Sequence, residues 1–347
     1  MFIRRKIYFS VLLILLLLLT TACSGTKSTG QADNNSSSSG NSTTKEPMVL
    51  KLGHIGSLEN EYNLMAERFK EEVEKRTNGR YIIQIYPARQ LGGDREIIEA
   101  MQYGNVDAGV VTSSVMVNFV PEMGVLDLPY IFKDWDHIER FAKSEALQEL
   151  LKEGEKAGLI CLAVLPRGFR SITNSKHPIR VPEDLKDIKL RVIESPVFVN
   201  TFKLFGGTVV PMAAGEVYTA LQQKTIDAQE NTPAVNYYER FYEVQKYFSL
   251  TEHIAAWGVV TISKVTWDKI PPEDQKLFRE AALAAQEVET KLQREREAEF
   301  MKKLQEKGMI INDDVDREAF AKVTRPVVED WIAKNGDKYI KAIKELE

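Results

Sequence analysis

Two arginines stand where a charge is hard to keep. Arg191 lies inside the apolar run "KLRVI" (189–193), and Arg170 lies in "LPRGFRSITN" (165–174), beside a glycine and just after the apolar "LICLAVL". A buried cation costs several kcal/mol unless it is paired or faces a polar space. A guanidinium presents two parallel N–H groups that match the two oxygens of a carboxylate, so each arginine could grip an organic acid. An internal salt bridge would explain either arginine equally well, and Glu230 or Glu194 could supply it. A cluster of amides and a carboxylate, Gln229, Glu230 and Asn231, follows a brief run at 226–228 that reads as a strand. His54, Thr112 to Ser114, and Glu194 each follow an apolar run of strand length as well. These are groups for holding a small polar solute by directed hydrogen bonds. They are not the groups of a recognisable catalyst. The four histidines (His54, His137, His177, His253) lack metal-ligand spacing, and the chain has no G-x-S-x-G elbow, P-loop or G-x-G-x-x-G turn. His137 and His177 are expected on the surface, and His253 in a structural role.

The elements that would carry these residues alternate. "MVLKLGHIG" (48–56) reads as a strand, and "YNLMAERFKEEVEKRT" (62–77) as a helix stopped by Asn78-Gly79. "RYIIQIYP" reads as a strand, "REIIEAMQYG" as a helix, and "VDAGVVTSS" as a strand. Such β-α-β-α-β alternation predicts a parallel sheet with right-handed crossovers. The second half repeats the plan, and "EAMQYGNVDAG" (99–109) matches "TALQQKTIDAQ" (219–229) at a constant offset of 120. Two domains of one supersecondary plan are therefore expected, in a chain of 347 residues that exceeds one core. In open α/β sheets, ligands sit beyond the carboxyl ends of the strands, and facing domains would turn those loops into a cleft. From Pro271-Pro272 to Gly308 no helix breaker occurs, which predicts a helix of roughly 50 Å. Its stripe is not a clean heptad, so a brace across both domains is preferred to a coiled-coil partner.

The long segment "LKDIKLRVIESPVFVNTFKLFGGTVVPMAAGEVYTALQQKTIDAQEN", with "FYEVQKYFSLTEH", "YPARQLGGDREIIEAMQYGNVDAG" and "GFRSITNSKHPI", resembles the DctP-like solute receptors of TRAP (tripartite ATP-independent periplasmic) transporters. The likeness runs from about residue 48 to the end. It implies an α/β protein of two lobes, each a mixed, mostly parallel sheet flanked by helices, joined at a hinge with the long helix along both. The lobes would be 48–167 plus 257–296 and 168–256 plus 297–347. It also implies a small organic acid whose carboxylate pairs with Arg191, assisted by Asn231, with Arg170 also facing the ligand. His54, Thr112 and Glu194 fall where family members vary their ligand contacts. Ala213-Ala214 replace an aromatic found in some members, Lys224 stands where glycine is usual, and Thr232 where proline is usual. A carboxylate at Glu194 would bond sugar hydroxyls and repel a second acid group. A uronate or other sugar acid is therefore favoured over a C4-dicarboxylate or keto acid. A receptor for an ABC transporter is disfavoured by the long helix and the LRV and QEN motifs. A ligand-sensing lipoprotein remains an alternative, and no cofactor, metal or enzymatic activity is expected.

The amino terminus sets the compartment. Arg4, Arg5 and Lys6 precede the apolar run Ile7 to Leu19 and then "TTAC", the pattern of a signal peptide (1–22) ending in a lipobox-like Cys23. Lipidation of Cys23 would supply two acyl chains, enough for stable attachment to the outer face of the cytoplasmic membrane. Residues 23–47 would form a flexible tether, since Ser, Thr, Asn and Gly cannot bury enough surface to offset ordering. The balance of 46 basic and 50 acidic residues gives no sign of nucleic-acid binding. The expected partners are an organic acid, the membrane subunits and the membrane itself, with the receptor a monomer. Cys161 is expected to be a small core residue.

Overall fold

The computed structural model describes residues 46–347. The signal peptide, Cys23 and nearly all of the tether lie outside them. The strands are β1 (Met48–His54), β2 (Tyr81–Tyr86), β3 (Ala108–Thr112), β4 (Leu159–Asn174), β5 (Lys189–Val192), β6 (Thr208–Pro211), β7 (Ala228–Asn231), β8 (Tyr247–Ser263) and β9 (Ile310–Asn312). They form one sheet in the order β2-β1-β3-β8-β4-β7-β5-β6, with β9 beside β8. The order is nearly a palindrome. The β2-β1-β3 trio is parallel, as is β6-β5-β7, and two long antiparallel strands run between them.

Six helices matter to the site: α1 (Glu61–Arg76), α2 (Asp94–Gln102), α3 (Pro196–Leu204), α4 (Val217–Gln222), α5 (Pro233–Tyr238) and α6 (Pro272–Glu306). Their starts follow from local chemistry. The Asn60 side chain accepts from Tyr62 N at α1, and that of Thr232 accepts from Val235 N at α5, satisfying orphan amides of the first turn. Proline occupies the first turn of α3, α5 and α6, where its missing N–H is not needed.

The sequence echo has a structural meaning. Asp107 and Asp227 each stand just before a strand and each clasp the neighbouring strand twice. Asp107 N donates to Lys51 O and its carboxylate accepts from Lys51 N at 2.8 Å; Asp227 does the same with Lys189, at 2.8 and 2.9 Å. The helix-ending turns match as well, with Gly104 (φ 72) and Lys224 (φ 57) both left-handed. Each half thus pins its third strand to its first by the same device.

Separate clusters hold the two halves. Leu50, Leu52, Met65, Phe69 and Phe278 pack under α1 and α6. Ile172, Leu190, Phe198, Phe202 and Phe205 pack under α3. The long helix touches both sides. Its Ala281, Ala282 and Ala285 lie in the first cluster, and farther along Phe300 meets Tyr238 of α5 at 5.0 Å between ring centroids.

Two placements differ from the sequence expectation. The run expected at 226–228 lies later, so Gln229, Glu230 and Asn231 form β7 itself, paired with Thr173, Ile172 and Ser171 of β4. Polar side chains can occupy a buried strand here because they bond one another: Gln229 Nε2 donates to Thr173 Oγ1 and Asn236 Oδ1 at 2.7 and 2.8 Å. His137 is buried, not on the surface, with its Nε2 2.8 Å from Ile343 O. That contact belongs to a packing feature the pattern did not suggest: Val327, Trp331, Tyr339 and Ile343 join Phe141 and Leu150 in one core cluster. His177 is exposed, and Cys161 is buried with its thiol pushed up to about 12 by desolvation.

Candidate ligand-binding site

A cavity of about 560 Å³ opens beyond the carboxyl ends of β1, β3, β5 and β7. One wall carries Asn60, Tyr62, Arg89, Asp94 and Thr112, and the facing wall carries Arg191, Ile193, Glu194, the 212–217 stretch, Asn231 and Glu239. Arg167 and Arg170 contribute from β4. These two are three residues apart and would point to opposite faces of a regular strand. The β4–β8 register slips between Pro166 and Phe169, with Gly168 left-handed at φ 81, and that irregularity brings both arginines to the cavity.

Arg191 is 3% exposed. Its Nε and Nη2 both donate to Met212 O, at 2.9 and 2.6 Å, and no carboxylate lies within 4.0 Å among the described residues. Burial lowers its pKa to about 10, with Glu230 opposing that shift and Arg170 reinforcing it, so it stays cationic at neutral pH. The other four arginines lining the cavity all have acid partners: Arg89 with Glu239, Arg95 with Glu99, Arg167 with Glu61 and Arg170 with Glu230. Arg191 alone among them brings an uncompensated charge to the space.

Arg170 resolves the alternative left open by the sequence. Its Nε and Nη2 form a double contact with Glu230, at 2.5 and 2.9 Å, and Nη2 also reaches Glu230 O at 2.8 Å. His253 Nε2 stands 3.2 Å from the same carboxylate and its Nδ1 2.8 Å from Thr251 Oγ1, a structural role. Burial works against the Glu230 charge, but Arg170 and His253 outweigh it and hold its pKa below the usual range. Arg170 borders the cavity as half of a buried ion pair.

Asn231 lines the cavity, its Nδ2 3.3 Å from Gln229 Oε1. Thr112 lies across from it in a directed chain. Arg167 Nη1 donates to Tyr62 OH at 2.8 Å, Tyr62 OH to Thr112 Oγ1 at 2.8 Å, and Thr112 Oγ1 to Asp94 Oδ2 at 2.5 Å. Burial raises the Asp94 pKa, and its hydrogen bonds with Thr112 temper the rise. Glu194 is exposed and lines the cavity. His54 does not line it. The ring is fully buried, Nε2 is 3.2 Å from Asn63 Oδ1, and desolvation lowers its pKa to about 4. The loop after β1 reaches the cavity through Ile55 and Gly56 instead.

Arg89, Arg167, Tyr62 and Asp94 escaped the sequence reading. Arg167 shares the "PRGFR" segment with Arg170, and a glycine between two arginines is the signal that could have found it. Asp94 reads only as the first residue of a helix.

Among the described residues no group of three potential ligands could hold a metal, and no helix is long and apolar enough to cross a membrane. The chain matches the bacterial extracellular solute-binding protein family 7, DctP, over residues 52–335. It belongs to that family. A TRAP periplasmic solute-binding protein from Polaromonas sp. JS666, bound to D-erythronate, is 37% identical with a TM-score of 0.83, covering 86% of this chain and 98% of that one. One from Sulfitobacter sp. NAS-14.1, with bound β-D-galacturonate, is 31% identical with a TM-score of 0.80, covering 86% and 98%. The 2,3-diketo-L-gulonate-binding periplasmic protein YiaO of Escherichia coli is 32% identical over 301 residues, 86% of this chain and 92% of that one. The DctP chain described here is thus an extracytoplasmic solute receptor of the TRAP type, with the two-lobed α/β fold of its relatives.

Proposed function

We propose that this DctP-family receptor binds a hydroxylated monocarboxylate, a uronate or other sugar acid, with its carboxylate on Arg191. The observation that carries this reading is the buried Arg191 guanidinium, which faces a cavity without an acid partner while the four other arginines there are compensated. A desolvated cation gains most from an anion that arrives with the ligand. Asn231 supplies an amide beside it, and the Tyr62–Thr112–Asp94 chain and Glu194 offer partners for hydroxyls. Among relatives, the bound erythronate and galacturonate both carry one carboxylate and several hydroxyls, which supports the same class.

The ligand bridges the two walls and shifts the population towards a closed form that TRAP membrane subunits read. The solute leaves unchanged, and no residue acts as a catalyst. The lobes divide at the crossings of β4 and β8 near residues 167 and 257, with the long helix bracing both. The chain works as a monomer, held at the outer face of the cytoplasmic membrane through lipidated Cys23. A thermal-shift screen against uronates, aldonates, C4-dicarboxylates and keto acids tests the class. A ligand that binds only the native state raises the melting temperature as its concentration grows. The reading requires the sugar acids to give the largest shifts, with no product formed; stronger shifts from dicarboxylates would overturn it.

A further inference from the structure

A second guanidinium crosses this cavity, and its role deepens the reading of Arg191 as the carboxylate anchor. Arg89 stands in the loop between β2 and α2, where Ala88 and Arg89 both take left-handed backbone angles (φ 52 and 64). Residues without glycine's freedom persist in such conformations only where the surroundings enforce them, and they cluster at functional sites. Two hydrogen bonds do the enforcing, Ala88 N to Gly56 O at 2.7 Å and Arg89 N to His54 O at 3.2 Å. From there the side chain reaches the opposite wall. Its Cδ and Nε come within 3.4 Å of where a Cβ on Gly215 would sit, and Nη2 donates to Glu239 Oε1 at 3.3 Å.

Glu239 ends α5, the helix that starts just after Asn231. Six residues of helix rise about 9 Å, so Glu239 sits that far along α5 from the end that follows Asn231. Both side chains are under one-third exposed. A guanidinium has five N–H donors and cannot accept, so the donors left over after Glu239 require acceptor oxygens. Glu239 already balances the charge, so a second carboxylate on the ligand gains little there. Neutral hydroxyl or carbonyl oxygens fit. The Arg89 charge is also close enough to disfavour the charged form of Arg191 and to favour that of Asp94, which places it among both groups.

We propose that Arg89 is a specificity-determining residue that reads the oxygens of the ligand chain remote from its carboxylate, and that Glu239 is the positioning residue that aims it. The test is calorimetry on the full-length protein with D-galacturonate, D-glucuronate, L-gulonate and D-gluconate. For the acid that binds tightest, Arg89→Ala should raise Kd at least tenfold and Glu239→Gln at least threefold. The double variant should be no weaker than Arg89→Ala alone, because Glu239 acts through Arg89. An Arg89→Ala Kd within twofold of wild type overturns the proposal, and so does an additive double variant. The unliganded melting temperatures of all variants should stay within a few degrees of wild type, and a larger fall would assign the pair to folding instead. If Arg191→Ala abolishes binding while Arg89→Ala changes nothing, this inference alone fails. If wild type binds none of the four acids, it falls together with the reading it rests on.

Discussion

At the residue scale, the site separates compensated charges from one that is not. Arg170 and Glu230 are both at most 3% exposed and hold each other by two side-chain hydrogen bonds. Removing one partner of a buried pair leaves an unpaired charge, which typically costs about 3–5 kcal/mol. Glu230→Ala should therefore lower stability by that order, measurable by denaturant unfolding, and a change below about 1 kcal/mol would show the pair to be dispensable. Asp127 behaves differently. It is fully buried, Ser114 Oγ donates to its Oδ1 at 2.8 Å, and its Oδ2 has no partner among the described residues. Desolvation pushes its carboxyl up to about 7, with Ser114 and Arg170 pulling the other way. In the unfolded chain an Asp ionises near 3.9, so as pH rises from about 4 to 7 the unfolded state loses its proton first and stability falls. Asp127→Asn should be more stable than wild type at pH 8 by about 1–3 kcal/mol, with the gap closing by pH 4. An equal gap at both pH values would contradict the assignment.

At the element scale, two turns carry more of the site than their composition suggests. Gly168 is left-handed at φ 81, and a Cβ there would lie 2.9 Å from the Trp135 ring and 3.2 Å from Glu297 Oε1. Gly168→Ala should cost about 1–3 kcal/mol in stability through strain, and weaken ligand binding by misplacing Arg167 and Arg170. Near-native values for both quantities would remove the turn from the account. Lys224 is the opposite case, a non-glycine residue at φ 57 in a turn that its counterpart fills with Gly104. Lys224→Gly should raise the melting temperature by about 1–3 °C, since relief of left-handed strain exceeds the added chain entropy.

These turns also mark what was legible beforehand. The helices and strands of residues 48–114 show in the sequence because their apolar residues keep regular periods. Arg191 and Asn231 show because polar groups stand out against an apolar run or crowd at its end. β7 was placed too early because its polar side chains satisfy one another in pairs formed only on folding. Arg167 is not legible because only the register slip at Gly168 brings it to the same space as Arg170. His54 was misplaced because position at a strand end does not say which way a ring turns.

At the scale of the whole molecule, two parallel trios flank a pair of long antiparallel strands, and the carboxyl ends of the trios meet around one cavity. The shared aspartate clasp at Asp107 and Asp227 gives both halves the same internal register, while the walls differ in chemistry. One holds the unpaired cation, and the other a chain of hydroxyl and carboxylate groups. That asymmetry suits a solute with an acid at one end and hydroxyls along its length. The most direct measurement is calorimetric titration of wild type and Arg191→Ala with the sugar acid that gives the largest thermal shift. Loss of the cation that receives the carboxylate should weaken binding at least a hundredfold, about 3 kcal/mol or more. Binding within threefold of wild type, by a variant that melts normally, would contradict the account.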